Sequence, residues 1–278
     1  MTTQKFLIIL HVRILDQRMN SQSTENGKAY LDLLKRSLVN WIYQDIERNI
    51  LFQFGDYELV KRQSFDPKGR ETGRDFSVHA HTLVGFKRLE NIQYCVETVV
   101  SENIPGDLIE TGVWRGGSCV FMRGLLKALG VEDRIVWVAD SFEGLPKPNE
   151  RDYPDDTGNK LHAMDVLSIS LENVKDTFAR YGLLDDQVKF LKGWFRDTLP
   201  DAPIEELAVL RLDGDLYEST MDALNNLYDR VSPGGFTIID DYGAYPACKK
   251  AVHHFREQRG ISEEIHKIDW TGVYWRKR

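Results

Sequence analysis

The sequence predicts an α/β fold: a seven-stranded, mostly parallel sheet that ends in an antiparallel hairpin and is preceded by helices. Three observations predict it. After Pro105, short apolar stretches alternate with helical patterns of about ten to fifteen residues, the mark of βαβ units and parallel pairing. The last two strand-like stretches are separated only by Trp270 and Thr271, too little chain for a crossover, so they must pair antiparallel. Glycines and acidic residues recur at the ends of the strands, where open α/β sheets hold their ligands.

Taken in order, residues 1–27 are expected to be a disordered extension; they include one apolar run, "FLIILHV", too short to span a bilayer. A helical N-terminal segment should occupy 28–104. In "YLDLLKRSLVNWIYQDIE" (30–47), Leu31, Leu34, Val39, Ile42 and Ile46 recur at three-to-four spacing, as on one helix face. "VKRQSFDPKGRETGRDF" reads as a loop, and "HTLVGFKRLENIQYCVETVVSEN" as a second helix. An α/β domain then spans 105–278. Its strands are "DLIETG", "RIVWVAD", "VKFLKGW", "LAVLRLDG" and "GGFTIIDDY", closed by "EEIHKID" and "GVYWRKR". The connection 143–167 is longer than such loops usually are and reads as a lid.

Composition excludes several classes. With a net charge of −7 over 278 residues, the chain has no global electrostatic footprint for nucleic acid or an anionic membrane, and neither is expected as a partner. Cys95, Cys119 and Cys248 lie far apart and form no CxxC pair. They make neither a disulfide framework nor a zinc cage, and a reducing cytoplasm fits them. No serine, cysteine and histidine arrangement suggests a nucleophilic triad.

The first βα turn, "ETGVWRGGS", brings bare backbone to the mouth of the sheet, with Glu110 placed to accept from a cationic amino group. Its spacing is not GxGxxG, which weakens a dinucleotide reading. Asp140 ends the next strand, where an acidic side chain can hold a ribose diol; helix capping is the other role open to it. Trp194 and Phe195 follow the third strand as adenine-side contacts, or as core. The fourth and fifth strands end in "RLDGD" and "IIDDY", which sets Asp213, Asp240 and Asp241 at one sheet edge, 27 and 28 residues apart. Neighbouring strands lie about 4.8 Å apart, and two carboxylates that close repel by about 4 kcal/mol at an effective dielectric near 20. Either one is protonated or a cation sits among them. A hard divalent ion with oxygen ligands fits, magnesium above all. Asp215 is assigned to capping the following helix. His253 and His254 read as solvated, whereas His81 could reach the site from the N-terminal segment.

These stretches, together with "YLDLLKRSLVNWIYQD", "HTLVGFKRLENIQYCVE", "WVADSFEGLPK", "RYGLLDDQVKFLKGWFRDTLP", "LAVLRLDGDLYESTMDAL" and "SPGGFTIIDDY", resemble the macrocin O-methyltransferase family over about residues 28–278. The resemblance implies a Rossmann-like class I methyltransferase fold and magnesium-dependent transfer of a methyl group from S-adenosylmethionine to a sugar hydroxyl of a glycosylated natural product. It implies donor contacts at Glu110, Thr111, Gly112, Gly116, Gly117, Ser118, Asp140, Ser141 and Trp194. Metal ligands would be Asp213, Asp240 and Asp241, with Asp213 also the general base. A homo-oligomer is expected from the same likeness. A catechol-like acceptor and a non-catalytic nucleotide-binding module are the competing readings.

Overall fold

The computed structural model describes residues 25–44, 48–53, 56–61 and 65–278; of the extension expected over 1–27, residues 1–24 lie outside that range. Seven strands form the main sheet in the order β5-β4-β3-β6-β7-β9-β8. Here β3 is Asp107–Thr111, β4 Val136–Asp140, β5 Val188–Lys192, β6 Leu207–Leu212, β7 Val231–Ile239, β8 His266–Lys267 and β9 Val273–Arg276. The first five run parallel. In the closing hairpin it is the last strand, β9, that pairs with β7, while β8 is a two-residue edge. This is the predicted sheet.

Adjacent residues on a strand point to opposite faces. Leu108, Val138, Val209 and Ile238 join one core, and their neighbours Ile109, Ala139, Leu210 and Ile239 join the other. Both faces are covered, which is why these strands read as continuous apolar runs. On the first face pack α3 (Phe86–Ser101), α4 (Gly117–Ala128) and α5 (Leu171–Arg180), through Ile92, Phe121 and Phe178. On the second lie α7 (Tyr217–Leu227) and α8 (Pro246–Arg259), through Leu224 and Phe255. Local chemistry sets their ends. Ser170 caps α5 by accepting from the Asn173 amide at 3.3 Å, and α8 opens on Pro246 and stops at Gly260 with φ of 64°. No described helix is long and apolar enough to cross a membrane.

The N-terminal segment departs from expectation. Its first helix, α1, covers residues 25–38 and ends because Asn40 turns left-handed at φ 53°. The helix expected to run to Glu47 is therefore short. A ribbon follows, β1 (Arg48–Gln53) paired antiparallel with β2 (Asp56–Lys61), tied down where the Ile50 amide donates to the Phe76 carbonyl at 2.7 Å. The stretch read as a loop takes in the end of β2, Val60 and Lys61, and a short helix, α2 (Pro67–Thr72), capped by Asp66. His81 does not reach the site. Its carbonyl accepts from the Gly117 amide, its ring meets the Tyr181 hydroxyl at 2.8 Å, and burial holds its pKa down at about 4.

Candidate active site

Three backbone hydrogen bonds of 2.9 Å step along the carboxyl ends of the strands: Gly112 to Ala139, Asp213 to Thr111, and Asp240 to Leu212. They align the ends of β4, β3, β6 and β7 in one row, at the point where the chain has left β3 toward β4 on one side and β6 on the other. A ligand crevice belongs there. A cavity of about 400 Å³ fills it.

Gly112 shows how tight that row is. It has φ of 85°, and an added Cβ would stand 1.8 Å from the Asp213 carbonyl oxygen. Gly112→Ala should therefore displace Asp213 and cost about 2–4 kcal/mol, which thermal unfolding would read as a Tm lower by roughly 5–10 °C. An unchanged Tm would contradict this packing.

Asp213, Asp240 and Asp241 converge, with one carboxylate oxygen of each within 4.8 Å of the others. Two buried arginines that sequence reasoning missed stand behind them. Arg211, fully buried on β6, pairs with Glu110, Asp213 (2.9 Å) and Asp240. Arg88, reaching across from α3, pairs with Asp240 and with Asp269 at 3.0 Å. An arginine inside an apolar strand, as in "LAVLRLDG", was the available signal, because a buried guanidinium requires carboxylates around it.

The cations do not balance the acids. Burial pushes Asp213 up to about 6, with the Asp240 charge adding to the rise and Arg211 opposing it. Asp215 is pushed up to about 8 by burial and then by Asp213, and burial drives Asp241 well above its ordinary range, with Asp215 next. A cluster that resists ionisation in this way would gain from a hard cation bound among its oxygens. The donor set fits one: each carboxylate has about four lone-pair positions, so Asp240 can accept from two arginines and still offer a ligand oxygen.

The other expected residues divide. Glu110, Gly112, Ser118, Asp140, Ser141 and Trp194 line the cavity; Thr111, Gly116 and Gly117 do not. Glu110 is occupied within the protein, since its carboxylate takes Arg211 and the Cys119 thiol at 2.8 Å. Burial raises it to about 7 against the pull of Arg211. Arg211 answers its charge from within the protein, and Glu110 still lines the cavity where a cationic amino group was expected. Gly117 serves packing: a Cβ there would lie 2.4 Å from the His81 carbonyl oxygen. Asp140 accepts from the amides of Val113 and Phe142, both at 2.7 Å, which joins the first turn to the second strand end.

Asp215 is no helix cap. It sits in the cavity wall with φ of 59°, and the amides of Tyr217 and Glu218 in the first turn of α7 are accepted instead by Asp156, at 2.7 and 3.0 Å. Asp156 comes from the long connection 143–167, which folds as three short 3₁₀ turns. The same connection is held to the first βα turn by the Trp114 indole, which donates to the Val166 carbonyl at 2.9 Å. Leu145, Pro146, Leu161 and Leu167 then give the cavity an apolar wall.

A model of the macrocin O-methyltransferase family, TylF, matches residues 27–277. The chain is 54% identical over 254 residues to mycinamicin III 3''-O-methyltransferase of Micromonospora griseorubida, covering 90% of this chain and 96% of that one. It is 56% identical over 255 residues to an 8-demethyl-8-(2,3-dimethoxy-alpha-L-rhamnosyl)-tetracenomycin-C 4'-O-methyltransferase of Streptomyces olivaceus, covering 91% and 94%. Among solved structures, the O-methyltransferase NovP superposes with a TM-score of 0.83 at 50% identity, over 90% of this chain and 99% of that one.

Proposed function

This chain belongs to the macrocin O-methyltransferase family, and from that premise we propose that it transfers a methyl group from S-adenosylmethionine to a sugar hydroxyl of a glycosylated natural product, with magnesium held by Asp213, Asp240 and Asp241. The convergence of those three carboxylates at the mouth of the sheet carries the reading. The rhamnosyl group in the name of the Streptomyces olivaceus relative supports a sugar acceptor.

The chemistry follows from what an alcohol lacks. A hydroxyl barely ionises near neutral pH, so a base must take its proton as the oxygen attacks. Magnesium bound by the aspartates would supply charge that lowers the cost of a developing alkoxide. The oxygen forms a bond to the methyl carbon while the carbon–sulfur bond breaks, its electron pair leaving with the sulfur. Asp213 is the proposed proton acceptor, and its contact with Arg211 fixes its orientation. Asp215, in the same wall and without a capping role, is the second acceptor to test. Glu110, Arg211 and Arg88 act on no reacting atom; they hold the aspartates in place. The apolar wall excludes water, and alignment of oxygen, methyl and sulfur supplies much of the rate.

With a labelled methyl donor and a panel of deoxysugar-bearing acceptors, transfer should fall to background in EDTA and return on adding magnesium. Full activity in the chelator would exclude the metal, and transfer to aromatic diols alone would exclude the sugar.

A further inference from the structure

The turn that joins β8 to β9 supplies a second buried carboxylate to Arg88. Asp269 lies in that turn, buried, with both oxygens engaged. Its Oδ1 accepts from the amides of Thr271 at 3.0 Å and Gly272 at 2.8 Å, which closes the turn on itself. Its Oδ2 accepts from Arg88 Nε at 3.0 Å. The same guanidinium donates through Nη1 to Asp240 Oδ2, and through Nη2 to the Gly73 carbonyl at 3.4 Å. An added Cβ on Gly272 would stand 3.1 Å from Arg88 Cδ, so the arginine stem lies directly against the turn. One cation thus serves two buried carboxylates, and only Asp240 belongs to the proposed metal set.

That sharing bears on any ion bound at Asp240. A guanidinium beside a ligand oxygen repels the cation that the oxygen binds, and between buried groups salt screens the repulsion little. Asp269 offsets that charge, and by holding Nε it fixes where Nη1 points. The turn also grips Asp240 from its backbone, since Thr271 Oγ1 donates to the Asp240 carbonyl at 2.8 Å and accepts from the Ala244 amide at 3.0 Å. Asp269 itself touches neither Asp240 nor the ion; its effect passes through Arg88.

We infer that Asp269 is a positioning residue for the metal site: it takes up part of the Arg88 charge and fixes the direction of that guanidinium, which leaves Asp240 oriented and negative enough to bind a divalent cation. This inference rests on the proposed magnesium site. Asp269→Asn isolates the effect. Its amide keeps an oxygen for the Thr271 and Gly272 amides and turns an NH₂ toward Arg88 Nε, so the turn survives while the link to Arg88 breaks.

Manganese chloride titrated into wild type, Asp269→Asn and the double variant Asp269→Asn/Arg88→Met, with the free ion followed by electron paramagnetic resonance, tests it. Asp269→Asn should bind manganese about tenfold or more weakly, the size of effect expected when a partner behind a metal ligand is removed. Its affinity for S-adenosylhomocysteine should stay within about twofold of wild type, and its lost turnover should return as magnesium is raised to saturation. The double variant removes the two opposite charges together and should recover manganese affinity to within about threefold of wild type. A merely structural Asp269 predicts the reverse, a further loss in the double variant. An unchanged manganese Kd in Asp269→Asn overturns the inference, and so does a double variant that fails to recover. Should Asp269→Asn alone be too unstable to titrate, the double variant decides by the same threefold limit. If wild type takes up no manganese, the metal site itself is wrong and the inference falls with it; if wild type and Asp269→Asn bind it equally, only the inference falls.

Discussion

Asp213→Asn should lower kcat by about 10³-fold or more, the combined loss of the proposed metal ligand and the proposed base, while S-adenosylhomocysteine binds within about twofold of wild type. The amide retains an oxygen for the Arg211 hydrogen bond, now 2.9 Å, so the fold survives and the loss is chemical. Steady-state kinetics and a donor titration on the same preparation check both halves. A variant with ordinary turnover would remove Asp213 from both roles. Asp215→Asn, run beside it, separates them: if Asp215 takes the proton, its variant loses turnover while still binding metal.

The largest effect on stability belongs to Arg211. It is fully buried and answers Glu110, Asp213 and Asp240 together. Arg211→Met leaves those carboxylates without their shared cation, and breaking a buried ionic network by removing one side costs about 3–5 kcal/mol. In a chain of this size that is a fall in Tm of roughly 10 °C. Adding Glu110→Gln removes one uncompensated charge and should recover part of the loss. A Tm unchanged by Arg211→Met would show that the carboxylates are compensated elsewhere.

The catalytic half of the chain was legible because its physics is local and repetitive. Strands buried on both faces have to be apolar throughout, so "RIVWVAD" and "GGFTIIDDY" announce themselves, and the acid that ends each run marks the mouth of the sheet. Asp213, Asp240 and Asp241 could be brought together from strand ends alone. What joins them could not. Arg88 stands 152 residues before Asp240, and nothing in its own helix marks it as part of the site. Glu110 was placed at the right strand end, but its pair with Arg211 was not foreseen, because Arg211 lies on a neighbouring strand whose register is set only by the sheet. The cap of α7 failed likewise: Asp215 has the local credentials, but Asp156 arrives from 61 residues away.

The N-terminal ribbon was missed for a different reason. Helical spacing persists past Asn40 through Ile42, so the period outlives the helix. "ILFQFGDYELV" does carry a hairpin signal, apolar runs on either side of Gly55 and Asp56. A two-stranded ribbon is marginal alone, and this one depends on docking to Phe76 and Ser77, contacts that no short window contains.

Anomalous diffraction from crystals grown with manganese and S-adenosylhomocysteine addresses the metal directly. The prediction is one peak at about 2 Å from an oxygen of each of Asp213, Asp240 and Asp241, on the side of the cavity that faces the sulfur. A peak elsewhere, or no peak while Asp213 and Asp240 stay paired to Arg211 and Arg88 and Asp241 keeps only the Asp215 amide, would contradict it.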